Sequence, residues 1–361
     1  MPEKLKVAVI GCGGIANGKH LPALKRLSST TVDLVAFCDI EEWKAGEAAS
    51  KYGVPGASVH TDYQSLLAKG GIDVVHVCTP NDSHAPITIA ALEAGAHVMS
   101  EKPMAKRAAD ARAMLEASKR TGKKLSIGYQ SRFRADSQIL KKMVENGELG
   151  EIYMAKGHAV RRRAVPTWGV FLDADKQGGG PLIDIGTHAL DLTLWLMNNY
   201  EVESVTGSVY RKLADRENAA NAWGSWDPKV YTVEDSAFGF IKMKSGATIF
   251  LESSWALNER NPSEANCTLY GTEGGADFKG GLNINGEKYG KLYDTKVQTH
   301  GGGVAFYDGT EEKPHELEAE MWINAIINDT EPVVTGEQAL VVSEILDAIY
   351  ESSTTGKTIT F

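Results

Sequence analysis

Through the first third of the chain, short apolar runs alternate with stretches of mixed polarity. KVAVIGCG (6–13), VDLVAFCDI (32–40) and IDVVHVCTP (72–80) are rich in β-branched residues, and AHVMSE (96–101) and KLSIGYQ (124–130) are shorter runs of the same kind. Near-continuous apolarity predicts parallel strands covered on both faces. Between them HLPALKRLS, EEWKAGEAASKYG, APITIAALEAGA and AADARAMLEASKRTG read as helices. Several end in glycine, the residue preferred just past a helix C-terminus. This alternation predicts a doubly wound α/β domain.

From about residue 130 the pattern changes. EIYMAKGHAVRRRA (151–164) lacks a helical period, and as a strand it would put Arg161 and Arg163 on one face and Arg162 on the other. Further strands are expected at 202–211, 232–243, 247–255 and 265–271, with KSGA and TEGG as turns, giving a mainly antiparallel sheet. QGGGPLIDIGTHALDLTLWLMN (177–198) predicts a helix that starts at Pro181, since proline suits the first helical position. Asp184, His188 and Asp191 then share a face, with Leu190, Leu194 and Met197 as an apolar stripe. Gly186 inside the helix costs about 1 kcal/mol relative to alanine, which implies a close neighbour against that first turn. The expected division is a nucleotide-binding domain over 1–128 and a substrate-binding and oligomerisation α/β domain over 129–361.

Composition narrows the function classes. With 361 residues, 42% apolar and 24% charged, the chain is long enough for two globular domains. A net charge of −9 argues against nucleic acid or anionic membrane as a partner. Cys12, Cys38, Cys78 and Cys267 form no CxxC pair, which fits reduced, buried thiols. The N-terminal apolar run is too short for a secretory signal and no stretch approaches a membrane span, so a cytoplasmic protein is expected.

Candidate chemistry begins with GCGGIA. Gly11 and Gly13 sit where a chain turns off a strand and lets backbone approach a pyrophosphate, with Gly14 and Ile15 opening the helix and small Ala16 allowing close packing. Asp39, followed by Ile40 at the end of the second strand, is placed to accept from ribose hydroxyls. A carboxylate there repels a 2′-phosphate and Lys44 is the one nearby cation, so NAD is expected over NADP. Thr79, Pro80, Asn81 and Glu101-Lys102-Pro103 fall at the carboxyl edge of the sheet, where ligands bind in open parallel sheets. Asp184 one turn from His188 can orient the imidazole for proton transfer from an alcohol. Either residue alone also reads as structural, His188 as a core histidine and Asp184 as a first-turn acid. A metal set of Asp184, His188 and Asp191 lacks the HExxH pattern, and no metal is expected.

With GCGGIA, CTPNDSH, SEKPMA, GGGPLIDIGTHALDLTLWL and the tail EPVVTGEQALVVSEILDAIYESSTTGK, the chain resembles the Gfo/Idh/MocA oxidoreductase family over essentially its full length. That family includes glucose–fructose oxidoreductase and inositol dehydrogenases. The resemblance implies a Rossmann domain followed by an α/β domain with an open sheet that often mediates oligomers. It places the catalytic lysine at Lys102 and the catalytic aspartate and histidine at Asp184 and His188. His188 would take the substrate hydroxyl proton as hydride leaves, Asp184 would position substrate and histidine, and Lys102 would bond the reacting oxygen and the nicotinamide ribose. Thr79, Asn81, His84, Glu101 and Gln130 are the expected nicotinamide-side residues; His84 and Gln130 also read as structural. Arg163 and Trp168 are expected in the substrate pocket, with Arg161 and His158 nearby and Arg162 in solvent. The implied function is an NAD-dependent dehydrogenase of a secondary hydroxyl on a sugar, glycoside or cyclitol. Alternatives are a non-catalytic dinucleotide- or sugar-binding regulator, a reductase of a sugar phosphate or uronate, and hydride transfer to an imine or enone. SAFGFIKMKSGATIFLESSWA supplies a sheet face for a homodimer or homotetramer.

Overall fold

The computed structural model describes residues 3–298 and 313–361, and the statements below concern these residues. They form two compact units: one reaches Gln130 and includes a later segment ending at Leu340, and the other begins at Ser131 and resumes at Val341.

The first unit runs β1 (Leu5–Ile10), α1 (Leu21–Leu27), β2 (Val32–Cys38), α2 (Glu42–Tyr52), β3 (Ser58–His60), α3 (Tyr63–Ala68), β4 (Val74–Val77), α4 (Asn81–Glu93), β5 (His97–Ser100), α5 (Ala108–Thr121) and β6 (Leu125–Ile127). All pairings are parallel and the order is β3-β2-β1-β4-β5-β6, so the strand order reverses between β1 and β4. The apolar runs were a sound guide because β1 and β4 are covered on both faces: Val7, Val9, Val74 and Val75 have no exposed surface. The strands end earlier than the runs suggest. β1 stops at Ile10 because Gly11 turns the chain at φ 91°. The three-residue β3 went unread because it carries too little apolar pattern.

The second unit runs α6 (Ala135–Glu145), β7 (Ile152–Val160), α7 (Ala174–Gln177), α8 (Thr187–Met197), β8 (Val202–Tyr210), β9 (Ser236–Met243), β10 (Thr248–Ser254), β11 (Asn266–Gly271), β12 (Gly274–Asp277), β13 (Asn283–Lys288) and β14 (Lys291–Lys296). A nine-stranded sheet has the order β14-β13-β12-β11-β7-β10-β9-β8-β15, where β15 is Ile359–Thr360. Its pairings are antiparallel except β7 with β10. β7 alternates, with Ala155, Gly157 and Ala159 buried. α8 packs over that face: a Cβ on Gly157 would lie 3.3 Å from Thr193 Oγ1. The opposite face carries Phe240 and Phe250, both exposed, with their rings 5.1 Å apart.

Two helices close the chain, α9 (Pro314–Ile327) and α10 (Gly336–Thr355). α9 belongs to the first unit, where Trp322 and Ile323 join the apolar cluster built by Val7, Leu24, Leu34, Phe37 and Val74. The change of unit falls inside α10.

Candidate active site

In the first unit, Gly11 is required sterically. A Cβ there would lie 2.5 Å from the Cys78 carbonyl oxygen. Gly13 and Gly14 face open space, and a π-helical turn over Ala16–His20 leads into α1 with Ala16 fully buried. Asp39 follows β2 and accepts from the Cys12 N–H at 2.9 Å and the Glu41 N–H at 3.0 Å. Ile40 beside it is exposed, and Lys44 is held in an ion pair by Glu41. A sterically open glycine turn at a helix start, beside an acid on the next strand, is what a dinucleotide needs. These residues therefore fit NAD.

At the carboxyl ends of β4 and β5 the contacts are tighter than expected. His84 is fully buried, with Nδ1 2.8 Å from the Pro103 carbonyl and Nε2 2.9 Å from the Thr79 carbonyl. Its ring thus holds together the two loops that carry Thr79 to Asn81 and Glu101 to Pro103. Burial pushes its pKa down against those two carbonyls. Half-buried Lys102 precedes a cis peptide to Pro103. Its N–H donates to Glu101 Oε2 at 3.1 Å, while Glu101 Oε1 lies 2.9 Å from His20 Nε2. His20 Nδ1 in turn lies 3.0 Å from His76 Nδ1. Burial alone would push His20 down, but Cys78 and the Glu101 carboxylate outweigh it and hold His20 well above its usual value. Burial and then charged His20 push His76 well below. With His20 raised and His76 lowered, a proton shared by the pair is favoured on His20, whose Nε2 faces Glu101 and whose Nδ1 faces His76. His76 Nε2 is buried with no hydrogen-bond partner among the described residues. Gln130 accepts from Lys19 Nζ at 2.6 Å, and a small cleft here is lined by Lys19, His20, Glu101, Gln130, His315 and Glu318 together with apolar Met99 and Ala319.

In the second unit, the glycine run is packed without room for side chains. A Cβ on Gly179 would collide with the Tyr350 hydroxyl, and one on Gly180 with the Glu234 carbonyl. Buried Glu234 accepts from the N–H groups of Gly180 (2.8 Å) and Leu182 (3.1 Å) and from the Tyr350 hydroxyl (2.9 Å). The helix starts at Pro181 as expected, but as a π-helical turn over Leu182–Gly186 before α8. Gly186 has the close neighbour it implied: a Cβ would lie 2.9 Å from Ser253 Oγ, which donates to the Pro181 carbonyl at 2.6 Å. Asp184 is 5% exposed and accepts from the indole N–H of fully buried Trp255 at 3.1 Å. His188 is half-buried. Asp191 does not join them. Arg132 takes it in a fully buried two-pronged pair, Nε to Oδ2 at 2.9 Å and Nη2 to Oδ1 at 2.6 Å.

The arginine cluster lies beyond β7, which ends at Val160, so strand alternation does not govern it. Arg161 makes two 2.5 Å bonds to Glu264 and stacks 5.4 Å above the Trp223 ring. Arg163 donates to Asn258 Oδ1 at 2.7 Å. Trp168 is exposed, in edge contact with Trp223 and Phe171. His158 is turned away. It alternates with Gly157 and so leaves the face under α8, bonding Glu252 at 2.6 Å and Thr268 at 3.1 Å on the neighbouring strands.

Residues 5–129 match the Gfo/Idh/MocA family model for an oxidoreductase with an NAD-binding Rossmann fold, and residues 141–361 match the family's C-terminal alpha/beta domain. The chain belongs to the Gfo/Idh/MocA oxidoreductase family. It is 36% identical over 356 residues to D-glucoside 3-dehydrogenase of Escherichia coli (strain K12), covering 98% of this chain and 96% of that one. It is 31% identical over 197 residues to inositol 2-dehydrogenase of Salmonella typhimurium (strain LT2), covering 54% and 55%. The crystal structure of aldose-aldose oxidoreductase from Caulobacter crescentus superposes with a TM-score of 0.79 at 25% identity, covering 99% of this chain and 100% of that one.

In this Gfo/Idh/MocA oxidoreductase, sequence reasoning missed His20, His76, Glu234 and Trp255. His76 left a legible signal, a polar residue inside the apolar run VVHVC. Trp255 left none, because its partner Asp184 lies far away in the chain.

Proposed function

We propose that the protein is an NAD-dependent dehydrogenase that oxidises a secondary hydroxyl of a sugar, with glucosides as the leading class. The observation that carries this is Asp184, buried and fixed by the Trp255 N–H, within one turn of His188. Similarity to a D-glucoside 3-dehydrogenase over nearly the full length supports the substrate class.

NAD, when bound, supplies the hydride acceptor. The chain does the rest. The His188 imidazole takes the hydroxyl proton, and the Asp184 carboxylate favours the imidazolium that results. The Lys102 ammonium stabilises negative charge developing on the substrate oxygen. Glu101 fixes the Lys102 backbone, and charged His20 fixes Glu101. Thr79, Asn81 and Gln130 complete the proposed nicotinamide side, with Gly11 to Ile15, Asp39 and Ile40 at the pyrophosphate and adenosine end. Arg163 is proposed at the substrate, and Trp168 at the part of it that lies beyond the sugar being oxidised.

The proposed setting is the cytoplasm, which would keep the four buried cysteines as free thiols. Among the described residues no helix is long and apolar enough to cross a membrane. The proposed assembly is a homodimer or homotetramer through the open sheet face.

The test follows NAD reduction at the nicotinamide absorbance against glucosides, aldoses, inositols, uronates and sugar phosphates. Turnover of a glucoside supports the reading. Tight NAD binding with no turnover on any of them overturns it in favour of a regulatory protein.

A further inference from the structure

We propose that Trp168 and Trp223 form a second carbohydrate subsite, which binds a pyranose ring glycosidically linked to the sugar being oxidised; this rests on the glucoside dehydrogenase reading above. The two indoles are 51% and 45% exposed, an unusual amount of apolar aromatic surface to leave in water. Their centroids are 4.9 Å apart with planes at 81°, so they make a corner rather than a flat patch. The indole surface left exposed at such a corner would suit the apolar C–H face of a pyranose.

The corner is built in advance. Thr167 Oγ1 donates to the Trp223 carbonyl at 2.8 Å, and the Asn221 side chain bonds the Val165 N–H at 2.8 Å and the Val165 carbonyl at 2.9 Å. These bonds staple the two tryptophan-bearing loops together before any ligand arrives, which lowers the cost of ordering them on binding. Arg161, locked by Glu264, sits over the Trp223 ring and puts guanidinium donors beside the corner for sugar hydroxyls.

The corner is also linked to Asp184, the carboxylate proposed to support His188. Trp168 contacts Phe171 at 5.9 Å, Phe171 contacts Trp255 at 6.4 Å, and Trp255 donates to Asp184. An aromatic path of two ring-to-ring steps separates Trp168 from the indole that holds Asp184. That continuity, with polar donors at the rim, favours an extended saccharide over a protein partner, which would meet a flat surface.

The experiment measures kcat and KM for methyl glucoside, phenyl glucoside and a glucosyl-glucose disaccharide in wild type, Trp223→Ala and Trp223→Phe. Circular dichroism and light scattering confirm fold and mass. We expect the alanine variant to raise KM for the disaccharide about tenfold or more, with kcat little changed, and to leave methyl glucoside within about twofold. Phenylalanine should restore most of the loss. An equal loss on both glucosides, no loss on the disaccharide, or a loss confined to phenyl glucoside overturns the proposal, as does a change of oligomeric mass in the variant. If wild type oxidises no glycoside, tryptophan fluorescence decides. A disaccharide-induced change that disappears in Trp223→Ala keeps the subsite while the dehydrogenase reading falls, and no change in wild type removes the subsite as well.

Discussion

His20 shows how much a single proton organises here. As an imidazolium, the form its raised pKa favours, it would donate to Glu101 and His76 at once, and Glu101 accepts from the Lys102 N–H. The two histidines are displaced in opposite directions, so each has its own pH window. His20 is raised above 6.5, so its stabilisation is fully present below 6.5 and is lost as pH rises through the folded-state value. His76 is held below 6.5, so stability falls as pH drops beneath 6.5 and the unfolded chain takes up the proton first. Melting temperature against pH should therefore lose its alkaline slope in His20→Gln and its acid slope in His76→Asn; unchanged slopes would contradict the proton assignment. At the proposed chemical residues, Lys102→Ala and His188→Ala should each cut kcat by about a hundredfold to ten-thousandfold. NAD should still bind both variants in a fluorescence titration, and near-normal turnover in either variant would remove that residue from the mechanism. The residue types at the glycine turn and at Asp39 were legible because their chemistry is local to one strand–turn–helix. The His20–His76–Glu101 chain was not, because three separate strand and helix ends supply it.

At the scale of elements, the turn that leads into α8 is closely packed on several sides. Pro181 marked it in the sequence, and Gly186 announced a close neighbour that proved to be Ser253. The π-helical turn was invisible, since counting by i, i+4 and i+7 assumes a uniform α-helix. That count grouped Asp191 with Asp184 and His188, whereas the fold pairs Asp191 with Arg132. Gly186→Ala should destabilise the protein by about 1–3 kcal/mol through overpacking, read as a lower urea midpoint. Adding Ser253→Gly should recover part of the loss; no recovery would mean that the conflict lies elsewhere. The outer strands β12 to β14 escaped notice for another reason. β14 is exposed throughout, so it has no buried face and no alternation to read.

At the scale of the whole molecule, the fold class followed from the change from alternating strands and helices to hairpins near residue 130, and family membership bears it out. The open sheet face leaves an apolar patch exposed, with Phe240 and Phe250 packed edge to face. If copies associate there, Phe250→Glu should reduce the mass measured by light scattering to that of a smaller species. An unchanged mass would move the interface elsewhere. The composition of the first unit was the least legible feature of all. Nothing local in α9 says which apolar cluster it will join, yet Trp322 and Ile323 complete the one around Val7 and Leu34. Residues 1–130 expressed alone should bind a hydrophobic dye and aggregate, and fusing 312–340 to them through a short linker should restore a cooperative melt. A stable, dye-silent 1–130 fragment would show that α9 is dispensable.

That completion by α9 has a consequence for biosynthesis. The strands of the first unit leave the ribosome early, but Trp322 and Ile323 follow only after the intervening segment beginning at Ser131 has been translated. At ordinary elongation rates that interval is on the order of ten seconds. For that time each nascent chain carries an uncovered apolar face between α1 and the missing helix, long enough for it to be a client of ribosome-associated chaperones.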